Sequence, residues 1–271
     1  FKQNPPYEIR LSLVGSEMCI RDSSVISEHG DRAKLLAGGT DIIVQLREGL
    51  READVVVDIK KIDEVTSFKY SEENGLSLGA AVACYHLYEH PELSRLYGAL
   101  ADSTHIIGGW QIQSRASIGG NLCNASPAAD SVPALIADEP KVNIFSPEGI
   151  RSCKVEEIPT APGKTSLKKG EFIVSIDIPY RPKFSSDSYL RFTPRTEMDI
   201  AVVSAAVALT MSKDGVCEKA KVVLGAVAPT VKIVHEASKV LIGSRLDQNT
   251  IKEMSQFCIC LLYTSDAADE E

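Results

Sequence analysis

The sequence predicts an α+β fold in two parts, and three observations carry that prediction. Short β-branched runs alternate with stretches whose apolar residues recur at helical spacing. The segment Tyr180 to Asp187 is rich in Pro, Ser and charge, the composition of a linker. Beyond it the pattern changes to two long strands followed by helices.

Lys34 to Ala37 predicts a short buried strand and Asp41 to Glu48 a helix. Thr40 is the expected N-cap, because its hydroxyl can accept a bond from the first turn. Val55 to Ile59 is a β-branched run and Leu76 to Ala80 an apolar one, and both predict strands. A helical stretch starts near Pro91. Tyr97 to Ile107 carries apolar residues at roughly helical spacing until Gly108-Gly109 stops it. Glu171 to Pro179 alternates as a strand does. After the linker, Ala201 to Met211 and Ala220 to Ala228 predict two strands flanking a turn at Lys213-Asp214-Gly215. Val231 to Ile242 and Thr250 to Phe257 then predict helices.

Composition narrows the function. The 271 residues are 44% hydrophobic and 24% charged, ordinary for a globular protein with room for a real core. A net charge of −8 disfavours nucleic acid or an acidic membrane as partner. The longest nearly apolar run, Ile200 to Met211, is 12 residues, too short to span a bilayer. Leu11-Ser12-Leu13-Val14 is broken by Gly15, Ser16 and Glu17 and makes a poor signal peptide. Seven scattered cysteines contain no C-x-x-C pair and five histidines no H-E-x-x-H. A metal centre within this chain is therefore not expected, and a reducing cytoplasm is.

The chemistry concentrates in two glycine loops about eighty residues apart. The first is Leu35-Leu36-Ala37-Gly38-Gly39-Thr40-Asp41-Ile42, and the second is Ser117-Ile118-Gly119-Gly120-Asn121 with Asp130 ten residues beyond its last glycine. Paired glycines let a backbone approach an anion and adopt positive φ. A strand turning into a helix leaves N–H groups facing outward. Two such loops converging on one ligand suit a diphosphate. Thr40 and Ser117 add a hydroxyl donor at each loop. Asp130 repels phosphate, so its partner is either a hydroxyl-rich part of the ligand or, as an N-cap, the helix starting near Val132. No G-x-G-x-x-G follows a strand, which counts against a Rossmann site. Gly163-Lys164-Thr165 lacks the earlier glycine of a P-loop, since Ile158 stands there, and reads as a plain loop. Arg195 and Asp199 either pair at i, i+4 or face solvent, and Trp110 either packs beside a ligand or belongs to core or interface.

Two segments stand apart. Leu11 to Ser23 and Cys260 to Glu270 resemble translated sequencing-adaptor read-through, and neither continues its neighbour's periodicity. The expectation is a native protein running from about Ser24 to Cys258, truncated at both ends, with 1–23 and 259–271 foreign to it.

The loops, in this order and spacing, resemble the flavin-binding subunit of the molybdenum hydroxylases. That family includes the medium subunit of aerobic carbon monoxide dehydrogenase and the flavin domain of xanthine dehydrogenase. Agreement runs through AGGTDIIVQLREG (37–49), IGGWQIQSRASIGGNLCNASPAADSVPAL (107–135), YLRFTPRTEMDIAVV (189–203) and LGAVAPT (224–230). The resemblance implies a two-lobed FAD-binding fold of the vanillyl-alcohol-oxidase (PCMH) type over 24–180. A small α+β C-terminal domain, truncated, follows over 185–258. It implies that the stretches matching Leu35 to Ile42 and Ser117 to Asn121 wrap the FAD pyrophosphate and that Asp130 also binds the cofactor. Ile107 matches an apolar position near the isoalloxazine, Ile173 a backbone contact to the adenine half, and Arg191 a cation near the flavin that is often Lys.

By the same resemblance FAD is held non-covalently. A small subunit with [2Fe–2S] clusters and a large subunit with the molybdenum cofactor are the partners, and electrons leave to NAD⁺ or a quinone. No residue of this chain is then needed as a general acid or base. A self-sufficient flavin oxidase of the same fold is the first rival, but only about 75 residues between 180 and the expected native end remain for its substrate cap. A benzoyl-CoA-reductase type of subunit would need a cysteine-rich insertion, and none is visible. A flavin-free assembly scaffold would not need intact glycine loops.

Overall fold

The computed structural model describes residues 8–10, 16–195 and 199–266. Three short strands, β1 (Glu8–Arg10), β2 (Ala33–Leu36) and β3 (Val55–Asp58), form a parallel sheet with β3 in the middle. A central strand is covered on both faces, and Val55, Val56 and Val57 are accordingly all buried. The helix Ser16–His29 packs on this sheet through Cys19, Val25 and Ile26. It therefore runs straight through the expected junction at Ser23, whose hydroxyl donates to the Gly170 carbonyl at 2.6 Å. Too few turns lie on either side of that junction for a helical period to register in the sequence.

The second lobe is an antiparallel sheet of five strands. They are β4 (Phe68–Ser71), β5 (Gly75–Gly79), β6 (Lys141–Ser146), β7 (Gly149–Lys154) and, after the ribbon β8 (Pro159–Ala161) with β9 (Lys164–Thr165), β10 (Phe172–Ile178). Their order is β4-β5-β10-β6-β7. The central β10 joins the lobes: Phe172 and Val174 enter the core of the first, and Ile173, Ile176 and Ile178 that of the second. Its register against β6 shifts between Ile173 and Ser175, which re-aims the side chains locally.

The third sheet is antiparallel too: β11 (Ser185–Phe192), β12 (Val203–Met211), β13 (Cys217–Gly225) and β14 (Lys232–Ile233). Helices Gly98–His105 and Ser131–Asp138 lie between it and the second lobe, so Leu100, Leu135 and Ile136 share one core with Tyr189, Ala206 and Val223. The predicted helix over Val231 to Ile242 begins instead at His235, because Lys232 and Ile233 pair with β13. The last helix spans Gln248–Asp266, beyond the predicted Phe257.

The expected linker is the largest departure. β11 already starts at Ser185, and Arg181 is buried between Asp138 and Asp187, with its guanidinium 5.6 Å from the centre of the Tyr97 ring. The segment clamps the two parts together. Composition cannot distinguish charges that face water from charges that face each other. No helix among the described residues is long and apolar enough to cross a membrane.

Candidate functional site

The first loop leaves β2 at Leu36 and enters the helix Ile42–Arg47. Gly39 sits at φ +79°, where a Cβ would be strained. Gly38 is required for a different reason: a Cβ there would stand 2.0 Å from the carbonyl oxygen of Arg115, which leads into the second loop. The predicted N-cap at Thr40 is displaced by one residue. Asp41 occupies the cap position without a side-chain cap bond, and its carboxylate accepts a bond from Asn124 Nδ2 at 3.4 Å. That bond ties the first loop to the end of the helix Ile118–Asn124.

The second loop is the first turn of the helix Ile118–Asn124. Ser117 is its N-cap, and its Oγ accepts from the Gly120 N–H at 3.1 Å, leaving the hydroxyl proton to donate elsewhere. The Gly119 N–H also falls in this turn, where helix geometry supplies no partner. Neither glycine here takes the positive φ expected of it, because helical backbone is what the turn needs. Gly119 is packed so that a Cβ would meet the Ala80 carbonyl oxygen at 2.5 Å. Gly120 is open, with only Ser117 Oγ near, at 3.0 Å.

Both loops line a cavity of about 940 Å³, near the top of the ~300–1,000 Å³ range usual for ligand sites. Of the residues singled out from the sequence, Leu35, Ala37, Gly38, Gly39, Thr40, Asp41, Ile42, Ile107, Ser117, Gly119, Gly120, Asn121 and Ile173 line it. Leu36, Ile118, Asp130 and Arg191 do not. Leu36 packs against the cluster of Leu46, Ala53 and Val56, and Ile118 is buried in the main core.

Asp130 and Arg191 are committed to each other. One carboxylate oxygen of Asp130 accepts from the Tyr189 hydroxyl at 2.7 Å, and the other accepts from Arg191 at 2.9 Å. Asp130 stands at the N-cap position of the helix Ser131–Asp138 but makes no side-chain cap bond to it. Burial pushes the Asp130 carboxyl above its usual range, and the Tyr189 and Arg191 bonds partly offset that. The pair joins the second lobe to β11, which no local signal in the sequence could show.

The sequence reading missed the cavity's cations. Lys34, Arg51, Lys168 and Lys169 all line it. Burial, followed by the nearby Arg51 charge, lowers the Lys34 pKa. The lining acids are Asp31, Asp41 and Glu171, and Glu171 is already held by Arg151 through two bonds of 2.7 Å. The surplus of positive charge with N–H donors suits an anionic ligand. Lys34 lies within a predicted strand beside the first loop and was findable. Lys168 and Lys169 reach the cavity only because β10 follows them there. Thr165, in the loop read as plain, lines the cavity too. Trp110 is 57% exposed, 6.2 Å between ring centres from Tyr85, and is not a core residue. Arg195 and Asp199 do pair, at 3.0 Å.

The donor set, the open Gly120 position and the volume fit a dinucleotide with a diphosphate in its middle. Residues 19–181 match the family described as the FAD binding domain in molybdopterin dehydrogenase. Residues 188–258 match the CO dehydrogenase flavoprotein C-terminal domain. The chain is 30% identical to the putative xanthine dehydrogenase FAD-binding subunit of Escherichia coli strain K12, over 83% of this chain and 77% of that protein. It is 27% identical to the nicotinate dehydrogenase FAD-subunit of Eubacterium barkeri, over 80% and 74% respectively. In fold it is similar to a chain of carbon monoxide dehydrogenase from Hydrogenophaga pseudoflava, with a TM-score of 0.86 at 22% identity over 94% of this chain and 87% of that one.

Proposed function

The chain belongs to the FAD-binding family of the molybdopterin dehydrogenases, and from that membership we propose that it binds one FAD non-covalently between the two glycine loops. It is an oxidoreductase component, the FAD-binding subunit of a molybdenum hydroxylase-type complex. The observation that carries the cofactor site is the clasp of Gly38 against Arg115, which brings both loops to one cavity. The N–H groups of the loops and the Ser117 hydroxyl hold the diphosphate, and Lys34, Arg51, Lys168 and Lys169 supply the positive field. Ile107 offers apolar surface to the ring, and the backbone at Ile173 contacts the adenine half.

Bound FAD supplies a carrier able to exchange electrons singly with a cluster and in pairs with an organic acceptor. In this reading a small partner subunit with [2Fe–2S] clusters delivers the electrons, and a large subunit with the molybdenum cofactor hydroxylates the substrate. NAD⁺ or a quinone takes the electrons away. This chain contributes binding, orientation and electrostatics, with no acid–base residue of its own. Residues 24–180 form the cofactor unit and 185–258 the C-terminal domain, and an odd count of scattered cysteines suits a reducing cytoplasm.

Cys123 is the one thiol lining the cavity among the described residues, and burial pushes it up to about 12, so it offers no thiolate for a flavin bond. The test is an absorbance spectrum of the purified chain after incubation with FAD and gel filtration, followed by acid denaturation. One flavin per chain, all of it released into the supernatant, is expected. Flavin that stays on the denatured polypeptide overturns the non-covalent site, and a chain that retains none overturns the cofactor itself.

A further inference from the structure

Arg115 does not line the cavity, yet it joins the two loops from both sides. Its Nε donates to the Gly38 carbonyl oxygen at 3.0 Å. Its own carbonyl oxygen fills the space where a Cβ on residue 38 would stand. The described peptide bonds are all trans, so the Gly38 C=O and the Gly39 N–H point in opposite directions from one plane. Holding the carbonyl toward Arg115 therefore turns the Gly39 N–H away from Arg115, and Gly39, unlike Arg115, lines the cavity. Gly39 permits that turn at φ +79°, and its N–H has no acceptor among the described residues.

We propose that Arg115 is a positioning residue that aims the Gly39 N–H at an anionic diphosphate. The proposal rests on the FAD reading of the cavity. A guanidinium is suited to this task because it stays charged and its planar fork holds a fixed direction. A charged donor on the carbonyl also polarises the peptide, which makes the N–H on its far side a better donor. Lysine could reach the same oxygen with its charge but without the fork.

The experiment titrates the flavin-free full chain with FAD and, separately, with ADP, which carries the diphosphate and no flavin. Wild type, Arg115→Met and Arg115→Lys are compared by calorimetry, with a thermal melt of each flavin-free protein alongside. Arg115→Met is expected to weaken both ligands by about the same factor, roughly tenfold, with an unchanged melt. Arg115→Lys, which keeps the charge and lacks the fork, is expected to recover only part of that loss. Arg115→Met that binds FAD as tightly as wild type overturns the proposal while leaving the cofactor site standing. A loss confined to FAD, or one tracked by a lower melting temperature, also overturns it, because the effect is then not on the diphosphate. A wild-type chain that takes up no FAD overturns the cofactor reading and the proposal together.

Discussion

Gly120 and Gly38 carry the same residue type for opposite reasons. At Gly120 a Cβ would meet no protein atom but Ser117 Oγ, at 3.0 Å, so the missing side chain leaves room for a ligand. At Gly38 the room is already taken by the Arg115 carbonyl, 2.0 Å from the Cβ position. The two substitutions are therefore expected to fail differently. Gly120→Val should keep the flavin-free melting temperature within a few degrees while weakening FAD by about a hundredfold or more. Gly38→Ala should lower the stability of the flavin-free chain itself, by roughly 1–3 kcal/mol, because backbone has to move. Thermal melts and FAD titrations of the two variants separate these outcomes. Unchanged FAD affinity in Gly120→Val would remove the second loop from the site.

At the scale of elements, the joint between the helix Ser131–Asp138 and β11 is a buried cluster with one guanidinium and two carboxylates. Asp138 and Asp187 are each 3% exposed in their side chains and Arg181 is 9%. Burial pushes the Asp138 carboxyl well above the usual carboxylate range. The Arg181 charge opposes that, and the neighbouring Asp187 charge adds to it. Glu139 raises it and Lys221 lowers it, by smaller amounts. The folded chain thus keeps a proton on this pair that the unfolded chain gives up near pH 4, the ordinary value of about 3.9. Stability from this group is complete below that value and is lost as the pH climbs toward the folded one. Raising the pH from about 5 to about 8 should lower the melting temperature of wild type more steeply than that of Asp138→Asn, which cannot ionise. Parallel pH curves for the two would show that the pair holds no such proton.

For the whole molecule, the expectation is a relay. Mixed with an aldehyde, a purine or an alcohol under anaerobic conditions, the isolated flavin-loaded chain should keep its flavin colour. Dithionite, or a reduced [2Fe–2S] partner, should bleach it. Bleaching by an organic substrate alone would make the chain a self-sufficient oxidase and would require a substrate pocket on this chain. Lysine and arginine residues brought from separate elements line the cavity, so higher salt is expected to weaken FAD binding as well, measurable in the same titrations.

Much of this protein was legible in its residues. The β-branched run at Val55, the hairpin around Asp214 and both glycine loops follow from local rules of backbone freedom and periodicity, and those rules act within a few residues. What the tertiary structure decided is where charges end up. Arg181, in a segment composed like a linker, is buried as a clamp, and Asp130 meets Tyr189 and Arg191 across about sixty positions of chain. Lys168 and Lys169 reach the cavity through the strand that follows them. The requirement for Gly38 comes from a carbonyl 77 positions away, the separation of its bond to Arg115. Local sequence determines how the backbone bends. Only the packing of distant elements determines which polar groups lose their water and must find each other.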